Sequence, residues 1–158
     1  MERTQNKLSL SDCLGIEKSC VALNLRRAER IVSQIYDNAL RPVGIKGTQF
    51  SLLVTIRAMQ PATLSRIADH IDMDRTTLTR NLAPLVKAGW VVVVTGEDAR
   101  TRLVALTAAG QAKAATAHAV WQRAQDQIGA ALSPALTTAL HGMIDDAMTR
   151  LRPFVANN

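Results

Sequence analysis

The sequence predicts a mainly α-helical chain with one small β-hairpin, and two features of its patterning support this fold class. Apolar residues recur at the three-and-four spacing of helices over most of the 158 residues, 47% of which are hydrophobic. Over residues 90–106 the period changes to that of two short strands joined by the turn Gly96-Glu97-Asp98-Ala99. The predicted order is four helices, the hairpin and two further helices.

The N-terminal part of the chain predicts an arm followed by a long helix. Residues 1–14 are polar and unpatterned, which is typical of a flexible arm. From Cys20 onward, apolar residues spaced alternately four and three apart form a heptad-like seam on one helix that ends near Arg41-Pro42. Gly44 predicts a turn, and the apolar segment Phe50–Ile56 predicts the next helix.

Two short helices in the middle of the chain each have a good N-cap. Thr63 precedes the predicted helix Leu64–His70, and Asp74 precedes the predicted helix Arg75–Lys87. Two helices joined by a tight break and followed by a hairpin are the pattern of a winged helix-turn-helix. We therefore assign residues 45–107 to a winged helix-turn-helix domain.

The C-terminal third predicts two long helices. Thr107 caps an alanine-rich helix from Ala108 to about residue 131, and Ser133-Pro134 begins the last one. The apolar seams of the terminal helices are too long for one small domain to cover, and exposed seams of this kind indicate an interface. We therefore predict a homodimer whose helical dimerisation region comprises residues 15–44 and 108–156.

The predicted winged helix carries the functional information. The N-terminal residues of its second helix would reach base edges in the DNA major groove, and an arginine on the wing suits the minor groove. Residues 63–110 hold six basic and five acidic side chains, so this prediction depends on their arrangement rather than on the net charge of +6. The candidate DNA-binding residues are Thr63, Ser65, Arg75, Thr76, Thr77, Thr79, Arg80, Arg100 and Arg102, with Asp98 as a brace for Arg100.

Two stretches resemble the MarR family of bacterial transcription regulators. They are residues 74–82, DRTTLTRNL, and residues 98–110, DARTRLVALTAAG, which match the family's D-x-R wing followed by L-T-x-x-G. The resemblance implies a homodimer with interleaved first and last helices on a pseudo-palindromic operator of double-stranded DNA. It also implies a repressor released by a small ligand or by thiol oxidation. By motif position, Arg75, Thr76 and Arg80 would face the major groove and Arg100 the minor groove.

The resemblance further implies an effector pocket between the dimerisation region and the winged helix. Effectors of the family are often aromatic or phenolic, and Arg26, Tyr36, Met59 and Trp121 are the candidate pocket residues. Trp121 lies among apolar residues at helical spacing, which favours core packing beside the dimer seam, and a wall of the effector pocket is its alternative role.

Cys20 offers an alternative sensing chemistry. It resembles the reactive cysteine of the organic-hydroperoxide-sensing branch of the family, but the tyrosine expected four positions on is Asn24 here. A lone cysteine on a helix is also often a small buried hydrophobe. Cys13, seven residues away, could not pair with Cys20 along one helix. The alternative is therefore a peroxide-sensing repressor that uses Cys20.

Other classes of function find no support in the sequence. His70, His118 and His141 stand apart from other metal-ligating residues, and no nucleophile or nucleotide-binding motif occurs, so we expect neither an enzyme, a cofactor nor a metal site. No targeting or membrane-length apolar segment occurs, so a cytoplasmic protein is expected. A winged helix used only for protein contacts remains an alternative, as does an activator instead of a repressor.

Overall fold

The computed structural model describes residues 7–96 and 101–156. Most of these residues are helical. One short strand precedes the fourth helix, and two more lie between the fifth and sixth helices. No helix among them is long and apolar enough to cross a lipid bilayer. The elements are α1 Leu10–Ser19, α2 Val21–Leu40, α3 Gly47–Met59, β1 Ala62–Thr63, α4 Leu64–His70, α5 Arg75–Lys87, β2 Val91–Thr95, β3 Arg102–Leu106, α6 Ala108–Leu132 and α7 Pro134–Ala156.

The winged helix-turn-helix is built around one apolar core. Helices α3, α4 and α5 pack on one another and on the sheet, and β2 pairs antiparallel with β3 so that Val93 lies opposite Val104. The predicted mainly helical winged-helix fold is confirmed. The largest side chains that are fully buried are Leu40, Leu53, Ile56, Ile67, Leu78, Leu85 and Val104.

A third strand extends the predicted hairpin into a sheet of order β1-β3-β2. The two residues of β1 pair with β3, with Ala62 opposite Val104 and Thr63 opposite Leu103. Two residues are too few to produce the alternation that identifies a strand in a sequence, which is why only the hairpin is predictable.

The predicted N-terminal arm is wrong from Leu10 onward, where α1 begins. Ser9 and Asp12 form a capping box, in which the Asp12 amide donates to Ser9 Oγ at 3.1 Å and the Ser9 amide to Asp12 Oδ2 at 3.2 Å. No side chain of α1 is buried, and its apolar residues Leu10, Leu14 and Ile16 form too short a pattern to predict a helix. Residues 1–6 of the predicted arm lie outside the described residues.

Helix α6 joins the winged helix to the terminal helices. It packs against α2 and α3, and its residue Gly110 lies so close to the Trp90 carbonyl that a Cβ there would overlap the carbonyl oxygen. Thr107 caps α6 as predicted, accepting the Gly110 amide at 3.0 Å. Farther along, the Tyr36 hydroxyl of α2 donates to the side chain of Gln125. These contacts fix α2 and α6 against the winged helix.

Candidate nucleic-acid interface

The start of α5 is fixed by its predicted N-cap. Asp74 Oδ1 accepts the Thr77 amide at 2.8 Å, and Oδ2 accepts the Thr77 hydroxyl at 2.6 Å. The hydroxyl bond and then the amide bond of Thr77 hold the pKa of the Asp74 carboxyl below its ordinary value. Behind this turn, Leu78 and Leu82 are buried and anchor the inner face of the helix. The outer face is therefore held in one orientation.

That outer face carries Arg75, Thr76, Thr79 and Arg80, all exposed. Residues 75 and 79, like 76 and 80, are four apart and lie on the same side of the helix. The Thr79 hydroxyl donates back to the Arg75 carbonyl at 2.7 Å. Within residues 7–96 and 101–156, neither arginine forms a salt bridge. Both remain able to bind an external acceptor.

The other predicted DNA-binding residues are less uniformly placed. Thr63 caps α4 by accepting the Arg66 amide at 3.2 Å, and both Thr63 and Ser65 are half-buried at that helix start. Arg102 is exposed at the first position of β3, with its Nη1 3.5 Å from the Thr95 hydroxyl across the hairpin. Asp98 and Arg100, the predicted wing residues, lie outside the described residues.

A cavity of about 580 Å³ lies beside the outer face of α5, between α2, α3, α5 and α6. Its aromatic wall consists of Tyr36, Phe50 and Trp121. The rings of Tyr36 and Trp121 stack with their centroids 6.3 Å apart, and the centroids of the Phe50 and Trp121 rings are 6.0 Å apart. Partial burial raises the pKa of Tyr36 above its ordinary value. Arg80 and Asn81 of α5 complete the lining, so the cavity and the outer face of α5 share a residue.

The structure brings together two of the four predicted effector residues. Tyr36 and Trp121 line the cavity, whereas Arg26 is exposed on α2 away from it and Met59 packs against the winged-helix core. Arg26 and Met59 are therefore not part of this cavity. The sequence did not point to Arg80 as a lining residue, because its position there depends on how α5 packs across α2 and α3.

One cysteine lies within α1 and the other at the junction between α1 and α2. Cys13 is exposed within α1, and Cys20 is half-buried at the junction of α1 and α2, where its carbonyl accepts the Asn24 side-chain amide at 3.1 Å. Asn24 therefore binds the backbone of Cys20 at the position where the hydroperoxide-sensing branch has a tyrosine.

Known proteins with this architecture identify the family. The family model described as MarR family matches residues 45–101. The transcriptional regulator MosR of M. tuberculosis, whose structure was solved in complex with DNA, is 37% identical, and the alignment covers 83% of this chain and 98% of MosR with a TM-score of 0.72. The chain belongs to the MarR family. The predicted resemblance is thereby confirmed, and this family consists of winged helix-turn-helix transcription regulators.

Other relatives are consistent with the MarR family assignment. The apo form of wild-type MarR from E. coli is 25% identical, covering 81% of this chain and 96% of MarR, with a TM-score of 0.65. The uncharacterized HTH-type transcriptional regulator YwoH of Bacillus subtilis is 30% identical over 89 residues. That match covers 56% of this chain and 65% of YwoH, so the chain spans slightly less than two thirds of that relative.

Proposed function

We propose that this chain is a sequence-specific repressor that binds double-stranded DNA as a homodimer and is released by a small aromatic or phenolic ligand. The observation that carries the proposal is the exposed face of α5, where Arg75 and Arg80 make no salt bridge within the described residues. A guanidinium in this position can donate two hydrogen bonds to a guanine in the major groove. MosR, a relative solved with DNA, supports this use of the fold.

Exposed apolar side chains on α1, α2 and α7 support the homodimer. Met143, Phe154 and Val155 of α7 are 70%, 74% and 77% exposed, and leaving such surface in water forgoes about 25 cal/mol for each Å² that a partner could cover. A two-fold axis through these helices would present two α5 helices about 34 Å apart to one face of DNA. The seam continues through Leu10, Leu14, Ile16, Val21, Leu25, Leu136, Leu140, Ile144, Met148 and Leu151.

The cavity behind α5 supports release by a ligand. Its aromatic wall of Tyr36, Phe50 and Trp121 suits a flat ring, and the Arg80 guanidinium can bind an acidic or phenolic oxygen on that ring. A ligand held in this way would contact α5 from behind and compete for Arg80 with DNA. Ligand binding and operator binding would then oppose each other through one side chain.

A DNA-binding titration tests the proposal. An operator is first selected from the promoter DNA beside the coding region, and a labelled duplex of it is then titrated with the protein at several salt concentrations. We expect steep salt dependence, and we expect Arg75→Gln and Arg80→Gln each to weaken binding by about 1–3 kcal/mol. Arg123→Gln is the matched control, because it removes the same charge from an exposed position on α6. Its affinity should stay close to wild type.

The remaining outcomes separate the alternatives. Absence of DNA binding at low salt would contradict the proposal and favour a winged helix used for protein contacts. Release of wild type by benzoate or phenol, but not of Trp121→Ala, would support the ligand mechanism. Release by a mild organic hydroperoxide that Cys20→Ser abolishes would instead establish thiol sensing. A reporter gene under the selected operator distinguishes a repressor from an activator.

A further inference from the structure

The turn between the two helices of the helix-turn-helix is tied directly to the C-terminal helix. Arg152 of α7 donates from Nε to Asp72 Oδ1 at 2.9 Å and from Nη2 to Oδ2 at 2.7 Å. The two residues are 80 positions apart in the chain. This paired geometry fixes the direction of the guanidinium relative to the carboxylate, which a single point contact would not do.

Asp72 holds this position through its backbone as well as its carboxylate. Its φ is 51°, in the left-handed region, and the following Met73 amide donates to the Ala68 carbonyl at 2.9 Å. A residue in that conformation closes the turn tightly, and aspartate is among the few side chains that tolerate it. The carboxylate is therefore presented toward α7 by a turn of defined shape.

The same turn also borders the cavity behind α5. Ile71 and Met73, the neighbours of Asp72 on each side, both line that cavity together with Arg80. Ile71 and Met73 would therefore meet an occupant of the cavity, and Asp72 between them binds α7. A shift of Ile71 or Met73 would be passed to Asp72 through the backbone.

We propose that the Arg152–Asp72 ion pair is a positioning contact that sets the placement of the helix-turn-helix relative to α7 and links it to the state of the cavity. The consequence for DNA rests on the proposed function, because α7 belongs to the proposed dimer seam. Arg152 and Asp72 side chains are 58% and 48% exposed, and a pair this exposed adds little to stability. Its loss should therefore change orientation more than the free energy of unfolding.

The same helix supplies a matched control. Arg150 Nε donates to both carboxylate oxygens of Asp146 at 2.9 and 2.8 Å, one turn away within α7. This pair joins the same two residue types, is more exposed at 76% and 61%, and connects α7 only to itself. Arg150→Gln therefore removes a comparable ion pair without touching the turn.

The first measurement is hydrogen exchange on the full-length protein without DNA. Arg152→Gln should raise the exchange rate of the amides in residues 71–73 about threefold, because the turn loses its outer support. Asp72→Asn removes the charge but keeps a residue that tolerates left-handed backbone, and it should have the same effect. Arg150→Gln should leave these rates unchanged. Equal rates in Arg152→Gln and Arg150→Gln would overturn the proposal.

The second measurement compares a duplex carrying the full selected operator with a duplex carrying one half of it. Arg152→Gln should weaken full-operator binding about tenfold and leave half-operator binding unchanged, since only the full site requires two correctly placed helices. A merely stabilising role would not separate the two duplexes. Arg152→Lys keeps the charge without the fork and should recover little of the loss; complete recovery would contradict an orienting role.

Hydrogen exchange and operator binding together distinguish failure of the proposed function from failure of the positioning role. If wild type binds neither duplex, the proposed DNA-binding function fails, while hydrogen exchange still tests the contact itself. If wild type binds the full operator tightly and Arg152→Gln binds it equally well, the proposed function stands and the positioning role is overturned.

Discussion

The winged helix and the terminal helices use apolar side chains in opposite ways. In α3, α4 and α5 most of the apolar residues are buried in a shared core, whereas α1 has no buried side chain and α7 has none among residues 134–155. The winged helix is therefore complete within one chain. The terminal helices carry as regular an apolar pattern, but a single chain does not cover it. The difference supports the proposal that the chain folds through the winged helix and associates through the terminal helices.

Alanine substitutions of two glycines in α6 test the difference between the winged helix and the terminal helices, and the first should have the largest effect on stability. Gly110→Ala should destabilise the protein by about 3 kcal/mol or more, because the added Cβ overlaps the carbonyl of Trp90 at the edge of the winged helix. At Gly129 a Cβ would meet no neighbouring atom within 4 Å among residues 7–96 and 101–156, so Gly129→Ala should stabilise the helix by up to about 1 kcal/mol. Urea unfolding followed by circular dichroism measures both.

The Gly129 variant also tests whether α6 is covered by a second copy. If Gly129→Ala lowers the free energy of unfolding instead of raising it, a neighbouring chain must occupy the space beside that glycine. A Gly110→Ala protein as stable as wild type would contradict the close approach of α6 to Trp90.

A charge placed on the seam should separate association from folding. Met143→Asp puts a carboxylate on a side chain that is 70% exposed, so the single chain should still fold. In a two-fold dimer the change occurs twice and forfeits roughly 1.5 kcal/mol or more at each site, which is about a hundredfold in the dimer dissociation constant. Sedimentation equilibrium measures this constant.

The matched control for the seam is Val94→Asp. Val94 is 43% exposed on β2 of the winged helix, away from α1 and α7. This variant should remain as dimeric as wild type. Equal dissociation of both variants would mean that exposure alone, and not the seam, determines the response.

The parts of the molecule that the sequence predicts well are those with local signals. Thr63, Asp74 and Thr107 are N-caps in the structure, because a hydroxyl or carboxylate beside a helix start binds an amide only two or three residues away. The buried faces of α4 and α5 follow from apolar spacing alone. The exposed face of α5 follows from residues 74–82, and the family follows from that stretch together with residues 98–110.

The parts that were not predicted depend on distant contacts or on missing patterns. Helix α1 has no buried stripe, and β1 is recognisable only through its pairing with β3. The cavity joins residues of four helices, so neither its shape nor the presence of Arg80 in its lining follows from any one segment. The Arg152–Asp72 pair spans 80 residues and has no spacing signal at all.

Within the proposed DNA-binding face, substitutions in α5 and in the predicted wing should have different effects on operator binding. Arg80→Ala should relax base preference at one operator position, since its guanidinium would bind a specific base. Arg100→Ala, at the wing position of the family motif, should weaken operator binding by roughly 1–3 kcal/mol and leave the dimer intact. Binding-site selection measures the first effect and a gel-shift titration the second. An unchanged consensus for Arg80→Ala, or an unchanged affinity for Arg100→Ala, would contradict the respective role.

The winged helix and the terminal helices should also differ in how their stability depends on pH, and these are the smallest effects expected. The carboxylates concerned are Asp12 at the start of α1 and Asp74 at the start of α5. Hydrogen bonds from Ser9 lower the pKa of Asp12 in α1, and those from Thr77 lower the pKa of Asp74 at α5. A lowered folded-state pKa stabilises the fold above the ordinary value of 3.8 and loses that contribution as the pH falls through the folded pKa. Both carboxylates therefore favour their helices at neutral pH and cease to do so in acid.

The two carboxylates should nevertheless differ in what they stabilise. Asp74→Asn should lower the urea midpoint at neutral pH and flatten its decline below pH 3.8, because α5 is part of the buried core and unfolds with it. Asp12→Asn should leave the urea midpoint unchanged and raise only the hydrogen exchange of α1, because no side chain of α1 is buried in the single chain. If Asp12→Asn also lowers the midpoint, α1 unfolds together with the core, and the most direct reason is that a second chain covers it.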